Sequence, residues 1–151
     1  MSIYSWILLI NVALLLIYGS WYDLKYKMVE HWLWITIVII GIINVGFFSA
    51  SQIDSLAVVF FTATVWGLPC FFTFGIGDFA LIMGMAMFIP NVESMWMFFL
   101  IILIIWVAYT IVLMIQRKII LTRKAFFFKE YALVPVLAFS FYLWAILEAV
   151  L

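Results

Sequence analysis

An all-α, polytopic membrane protein of six transmembrane helices is the fold class that this sequence predicts, and three observations predict it. Of the 151 residues 71% are apolar and 9% charged, against roughly 45–50% and about 25% in soluble domains; so few polar groups cannot cover a surface that faces water. The apolar residues fall in long runs that are apolar on every side, which suits lipid-facing helices and not the alternating tracts of a membrane β-barrel. The seven Lys and Arg lie in only two of the five connections between those runs. The composition excludes a soluble globular domain, a disordered chain and a nucleic-acid binder. The single Cys70 excludes an internal disulfide framework or a cysteine-built zinc site, and no residue set calls for a metal or a cofactor. Without internal repeats or a long linker, residues 1–151 read as one domain.

A hydrocarbon core of about 30 Å takes about 20 helical residues to cross, and six segments qualify: residues 3–22, 32–49, 56–74, 79–90, 95–115 and 131–150. The first lacks the basic flank of a secretory signal and exceeds a usual signal core, so it reads as a retained anchor. The fourth is short, about 18 Å as a helix, so its span is expected to begin near Gly75 or Gly77 and to end at about Val92. That places Asp78 inside the membrane-embedded segment, close to one face.

The bases set the orientation. Lys25 and Lys27 lie in the first connection, and Arg117, Lys118, Arg123, Lys124 and Lys129 in the fifth; the second connection holds Asp54, the fourth Glu93, and Glu148 lies near the C-terminus. By the positive-inside rule the odd-numbered connections face the cytoplasm of a cell membrane and both termini face outward. Residues 116–130 interleave five bases with Ile119, Ile120, Leu121 and Phe126 to Phe128, a pattern expected to lie along the cytoplasmic surface against anionic lipid.

Two carboxylates stand out. Asp23 follows the first apolar run, and Asp78 has no Lys, Arg or His within thirty residues on either side. A charge at the membrane centre costs about 2.5–3.5 kcal/mol on insertion scales, less near the interface, which makes such residues functional candidates. The topology puts both at the cytoplasmic side and at one depth. Two carboxyls that meet share one proton: the ionised one deprotonates water while the protonated one bonds to a substrate carbonyl, which is aspartic peptidase chemistry. Gly75 and Gly77, just before Asp78, leave the backbone free to take unusual dihedrals and open to a peptide. Plainer readings are a lysine-paired interfacial residue for Asp23 and a helix cap for Asp78. Glu30 reads as a solvated interfacial acid or as an attractor of a basic peptide, and His31 as an interfacial neighbour of Trp32. Asn11, Asn44 and Gln52 receive no role.

The stretch Asp23-Leu24-Lys25-Tyr26-Lys27-Met28-Val29 and the motif Gly75-Ile76-Gly77-Asp78 resemble the type IV prepilin peptidase family, membrane aspartic peptidases that include the archaeal preflagellin peptidases. The six-helix pattern extends the likeness over nearly the whole chain. The resemblance implies Asp23 and Asp78 as the catalytic pair, and cleavage of a short basic leader from pilin-like or archaellin-like precursors at the cytoplasmic interface. The chain departs from the family in having Glu30-His31 where Pro-Asn is common and Ala80 where a Lys is common. It also lacks the cysteine-rich region of larger members that N-methylate their product, so cleavage alone is expected. Two other readings stay open: a presenilin-like intramembrane protease, which shares Gly-x-Gly-Asp, and a small proton- or cation-coupled transporter built on buried aspartates.

Overall fold

The computed structural model of the chain describes residues 2–26, 30–72, 76–117 and 133–150, leaving aside the side chains of 66–72 and 113–117. Six helices follow in order: α1 (Ile3–Tyr26), α2 (His31–Ile43) with a wider π-helical end (Asn44–Phe48), α3 (Gln52–Phe72), α4 (Ile76–Ala86), α5 (Val92–Arg117) and α6 (Val134–Val150). No strand occurs among the described residues. Three stretches, Ile3–Tyr26, His31–Phe48 and Val92–Val112, are long and apolar enough to cross a membrane, while Gln52–Val65, Ile76–Ala86 and Val134–Val150 are shorter apolar helices. Helix is what lipid demands of a backbone, because each N–H and C=O then finds its partner within the segment.

Two boundaries correct the sequence expectation. Helix α1 continues to Tyr26 and not only to residue 22, with Asp23 in its last turn. Helix α4 stops at Ala86 after 11 residues, about 16 Å, and does not run to Val92. Past Ala86 the chain tightens, with the Phe88 N–H bonded to Met85 O and the Ile89 N–H to Ala86 O, each at 3.0 Å. Pro90 then has no N–H to give and disfavours helical backbone at Ile89. The segment 118–132, where the basic and aromatic surface stretch was expected, lies outside the described residues.

The N-termini are closed in two ways. Ser2 Oγ accepts from Ser5 N at 3.1 Å, Ser51 Oγ from Asp54 N at 3.3 Å and Asn91 Oδ1 from Ser94 N at 2.8 Å, so α1, α3 and α5 each carry their own cap. Helix α6 is preceded by Leu133, which has no side-chain oxygen, and its Val134 N–H donates instead to Asp23 Oδ2 of α1 at 3.0 Å.

Packing follows the small residues. On α1 the buried positions are Ser5, Leu9, Val12, Leu16, Gly19 and Asp23, a stripe at alternating spacings of four and three that turns one face inward. At Gly19 a Cβ would collide with Leu33 of α2 and sit 3.4 Å from Val134 of α6. Helices α2 and α4 meet backbone to backbone: a Cβ on Gly41 would lie 2.9 Å from Gly84 O, and one on Gly84 would lie 3.2 Å from the Ile37 carbonyl carbon. Such closeness is how helices gain contact where lipid is as apolar as their side chains. Phe98 of α5 stands edge-on to Phe141 and Trp144 of α6, with centroids 6.1 and 6.2 Å away. Tyr142 Oη donates to the Ala13 carbonyl and ties α6 to the middle of α1.

Candidate active site

Hydrogen bonds between elements sort the residues into two ends of the bundle. At one end Ser5 Oγ donates to Phe48 O at 3.2 Å, Asn44 Nδ2 to Met87 O at 2.9 Å and Ser94 Oγ to Glu148 Oε2 at 3.0 Å, which gathers the start of α1, the end of α2, the end of α4, the start of α5 and the end of α6. At the other end lie the last turn of α1, Glu30 before α2, the start of α4 and the start of α6. Asp23 and Asp78 both belong to this second end, Asp23 in the last turn of α1 and Asp78 in the first turn of α4.

Their levels follow from the glycine contacts. Gly19 faces Leu33, and Gly84 faces Ile37. At about 1.5 Å per residue, Asp23 stands ~6 Å beyond the level of the Gly19–Leu33 contact. By the same rise of about 1.5 Å, the six residues from Gly84 to Asp78 and the four from Ile37 to Leu33 put Asp78 ~3 Å beyond it. The α-carbons of Asp23 and Asp78 are thus offset by only about 3 Å along the bundle. Sideways, α1 packs chiefly on α6 and α2, and α4 on α2 and α3 with a further contact to α6, so α2 and α6 are neighbours of both aspartate-bearing helices.

The surroundings of the two acids differ. Asp23 is 5% exposed, turned inward by the α1 stripe, and its carboxylate is held by the Val134 N–H. A helix N-terminus carries partial positive charge and unpaired donors, so it suits a carboxylate. Asp78 is half-buried. Gly77 precedes it in helical backbone, and Gly75 lies outside the described residues. The missing Cβ at Gly77 leaves the backbone next to Asp78 uncovered by that residue.

Glu30 takes part in an aromatic girdle at the same end. Its carboxylate accepts from Tyr18 Oη at 3.4 Å and from Trp32 Nε1. Tyr18 lies 5.5 Å from Trp32, Tyr22 lies 4.5 Å from Tyr26, and Lys25 Nζ rests 5.2 and 5.0 Å from the centres of the Trp21 and Tyr26 rings. Aromatic rings with polar tips mark the level where hydrocarbon gives way to headgroups. The His31 ring is 6.3 Å from Trp34.

Sequence reasoning missed the link from α6 to Asp23. Its signal was present: Pro135 suits the first turn of a helix, and no Ser, Thr, Asp or Asn stands directly before it to serve as a cap. It also gave no role to Asn44, which is buried and joins α2 to the end of α4. Asn11 bonds back to Ile7 O, and Gln52 reaches Gly46 O.

Comparison with known proteins gives a similarity to the preflagellin peptidase of Methanocaldococcus jannaschii, 36% identical over 87 residues. The chain is a relative of that preflagellin peptidase. The match covers 52% of this chain and 36% of the relative, so the chain accounts for little more than a third of the relative's length. No family model and no solved structure matches.

Proposed function

We propose that this protein is a membrane aspartic endopeptidase that removes short basic leaders from pilin-like or archaellin-like precursors, with Asp23 and Asp78 as its catalytic pair. The observation that carries the reading is the arrival of two carboxylates from separate helices at one end and nearly one level of an otherwise apolar bundle. The relative's name, preflagellin peptidase, supports the substrate class.

In this reading one carboxylate takes a proton from water as its oxygen attacks the scissile carbonyl, and the protonated partner hydrogen-bonds to the carbonyl oxygen. The tetrahedral species then collapses, the C–N bond breaks, and the leaving amine takes up a proton. The Val134 bond fixes the Asp23 carboxylate in orientation, so less ordering remains for the reacting state. All seven Lys and Arg lie in or beside the connections at the aspartate end, which supports an active site toward the cytoplasm. A precursor with its apolar helix in the membrane and its leader in the cytoplasm presents its cleavage site at that level, and the aromatic girdle would hold the enzyme at the same depth.

The test is cleavage of a precursor of this type by the purified protein in lipid, with Asp23→Asn and Asp78→Asn as variants. Loss of cleavage in both, with normal membrane insertion, is expected; full activity in either overturns the reading. A coupled pair also gives a bell-shaped pH profile, falling on the acid side as the base is protonated and on the alkaline side as the acid ionises. A rate that stays level from acid to neutral pH counts against a shared proton.

A further inference from the structure

The end of the bundle opposite the aspartates contains a cavity of about 250 Å³, room for several waters at ~30 Å³ each or for a small organic ion. It lies between the start of α1, the π-helical end of α2, the start of α3 and the residues that follow α4. Its chemistry is one-sided. Ser5 Oγ donates to Phe48 O at 3.2 Å; Ser49 Oγ and Ser55 Oγ lie 2.6 Å apart, each 3.0 Å from Ser51 O, so one hydroxyl donates to that carbonyl and the other to its neighbour. The hydroxyl protons are spent inside the protein, so these serines offer a ligand lone pairs and not donors.

Asn44 lines the cavity and is buried at 4% exposure. Its Nδ2 faces the Met87 carbonyl, which fixes the orientation of the amide, and its Oδ1 has no hydrogen-bond partner. An unpartnered buried acceptor costs about 1–3 kcal/mol, so the site gains from any donor that reaches it. Asp54 adds a carboxylate at the exposed rim. The described residues of this end hold Asp54, Glu93 and Glu148 and no Lys or Arg. The π-helical turn that begins at Asn44 is a form that recurs at functional sites.

We propose that this cavity binds a primary ammonium group, which combines positive charge with three donors, from a lipid headgroup or from a small free amine. The serine lone pairs take the N–H groups, Asp54 balances the charge, and a small turn of the buried Asn44 side chain brings Oδ1 to the remaining N–H.

Thermal unfolding of the full chain in detergent, titrated with ethanolammonium chloride or with tetramethylammonium chloride at matched ionic strength, tests this. The expected result is a saturable rise in unfolding temperature of about a few degrees with ethanolammonium and none with tetramethylammonium, which has no N–H. Asp54→Asn, on the exposed rim, is expected to weaken the apparent affinity about tenfold without loss of fold. An equal response to both salts, or none to either, overturns the proposal, as does an unchanged affinity in Asp54→Asn. Nanodiscs identify the source: greater stability in phosphatidylethanolamine than in phosphatidylcholine assigns the site to a headgroup, and equal stability in the two assigns it to a free amine.

Discussion

The two ends of this bundle cap their helices in opposite ways. At the cavity end the helix starts are capped from their own segments: Ser2 caps α1, Ser51 caps α3 and Asn91 caps α5, while Ser5, Asn44 and Ser94 make the bonds that join elements there. At the aspartate end the first N–H of α6 is met by a residue 111 positions earlier. Local caps stabilise one helix each. The Asp23 cap works only when α1 and α6 are already docked, so it ties the placement of a proposed catalytic carboxylate to the tertiary fold. The contrast is between caps drawn from a helix's own segment and a cap drawn from another helix.

The largest effect expected from breaking this contrast is on activity. Asp23→Asn and Asp78→Asn each lower precursor cleavage at least about a thousandfold, whereas Ser5→Ala at the other end leaves the rate within about twofold; initial rates in reconstituted vesicles measure both. Next comes the backbone contact between α2 and α4. Gly41→Ala puts a Cβ 2.9 Å from Gly84 O and 2.7 Å from Met87 Sδ, which costs about 1–3 kcal/mol and lowers cleavage roughly tenfold as α4 shifts Asp78. Unfolding temperature and rate together check it.

The third expectation separates the two roles of Asp23. Asp23→Ala leaves the buried Val134 N–H without its acceptor and lowers stability by about 1–2 kcal/mol, while Asp23→Asn keeps a capping oxygen and most of that stability. Equal stability in the two variants would show that the cap contributes nothing. The smallest effect is at Glu30, whose carboxylate is engaged with Tyr18 and Trp32. Glu30→Gln changes kcat/KM for a basic leader by less than about threefold; a larger loss confined to basic leaders would give Glu30 a direct part in substrate attraction.

Much of the arrangement was legible in the sequence because polar residues are scarce. Asp23 and Asp78 stood out against the apolar runs around them, and the spacing of the runs put both at one end. The apolar runs located six helices but blurred their limits, since an apolar residue past a helix end resembles one inside it. Residues 87–90 continue the apolar run of α4, and only Pro90 betrays that the helix has ended. The inward face of α1 was hidden for a related reason: in lipid the outward positions are as apolar as the inward ones, and Ser5, Gly19 and Asp23 alone mark the stripe. The bond from Val134 to Asp23 needed the pairing of the first and last helices, which no local pattern encodes. Asn44 was unreadable because its partner is a backbone carbonyl, which every residue has.

The brevity of α4 has an electrical consequence. In the proposed reading water reaches the two carboxylates, and the polar cavity at the far end would draw water toward the other terminus of the same helix. The insulating slab between the two would then be about 16 Å of α4 and not the ~30 Å of the surrounding hydrocarbon. A transmembrane voltage drops most steeply across the thinnest dielectric in its path, so the local field along α4 is about twice that in the neighbouring lipid. Met85 and Ala86, fully buried near the end of that helix, would then be part of the seal between the two ends of the bundle.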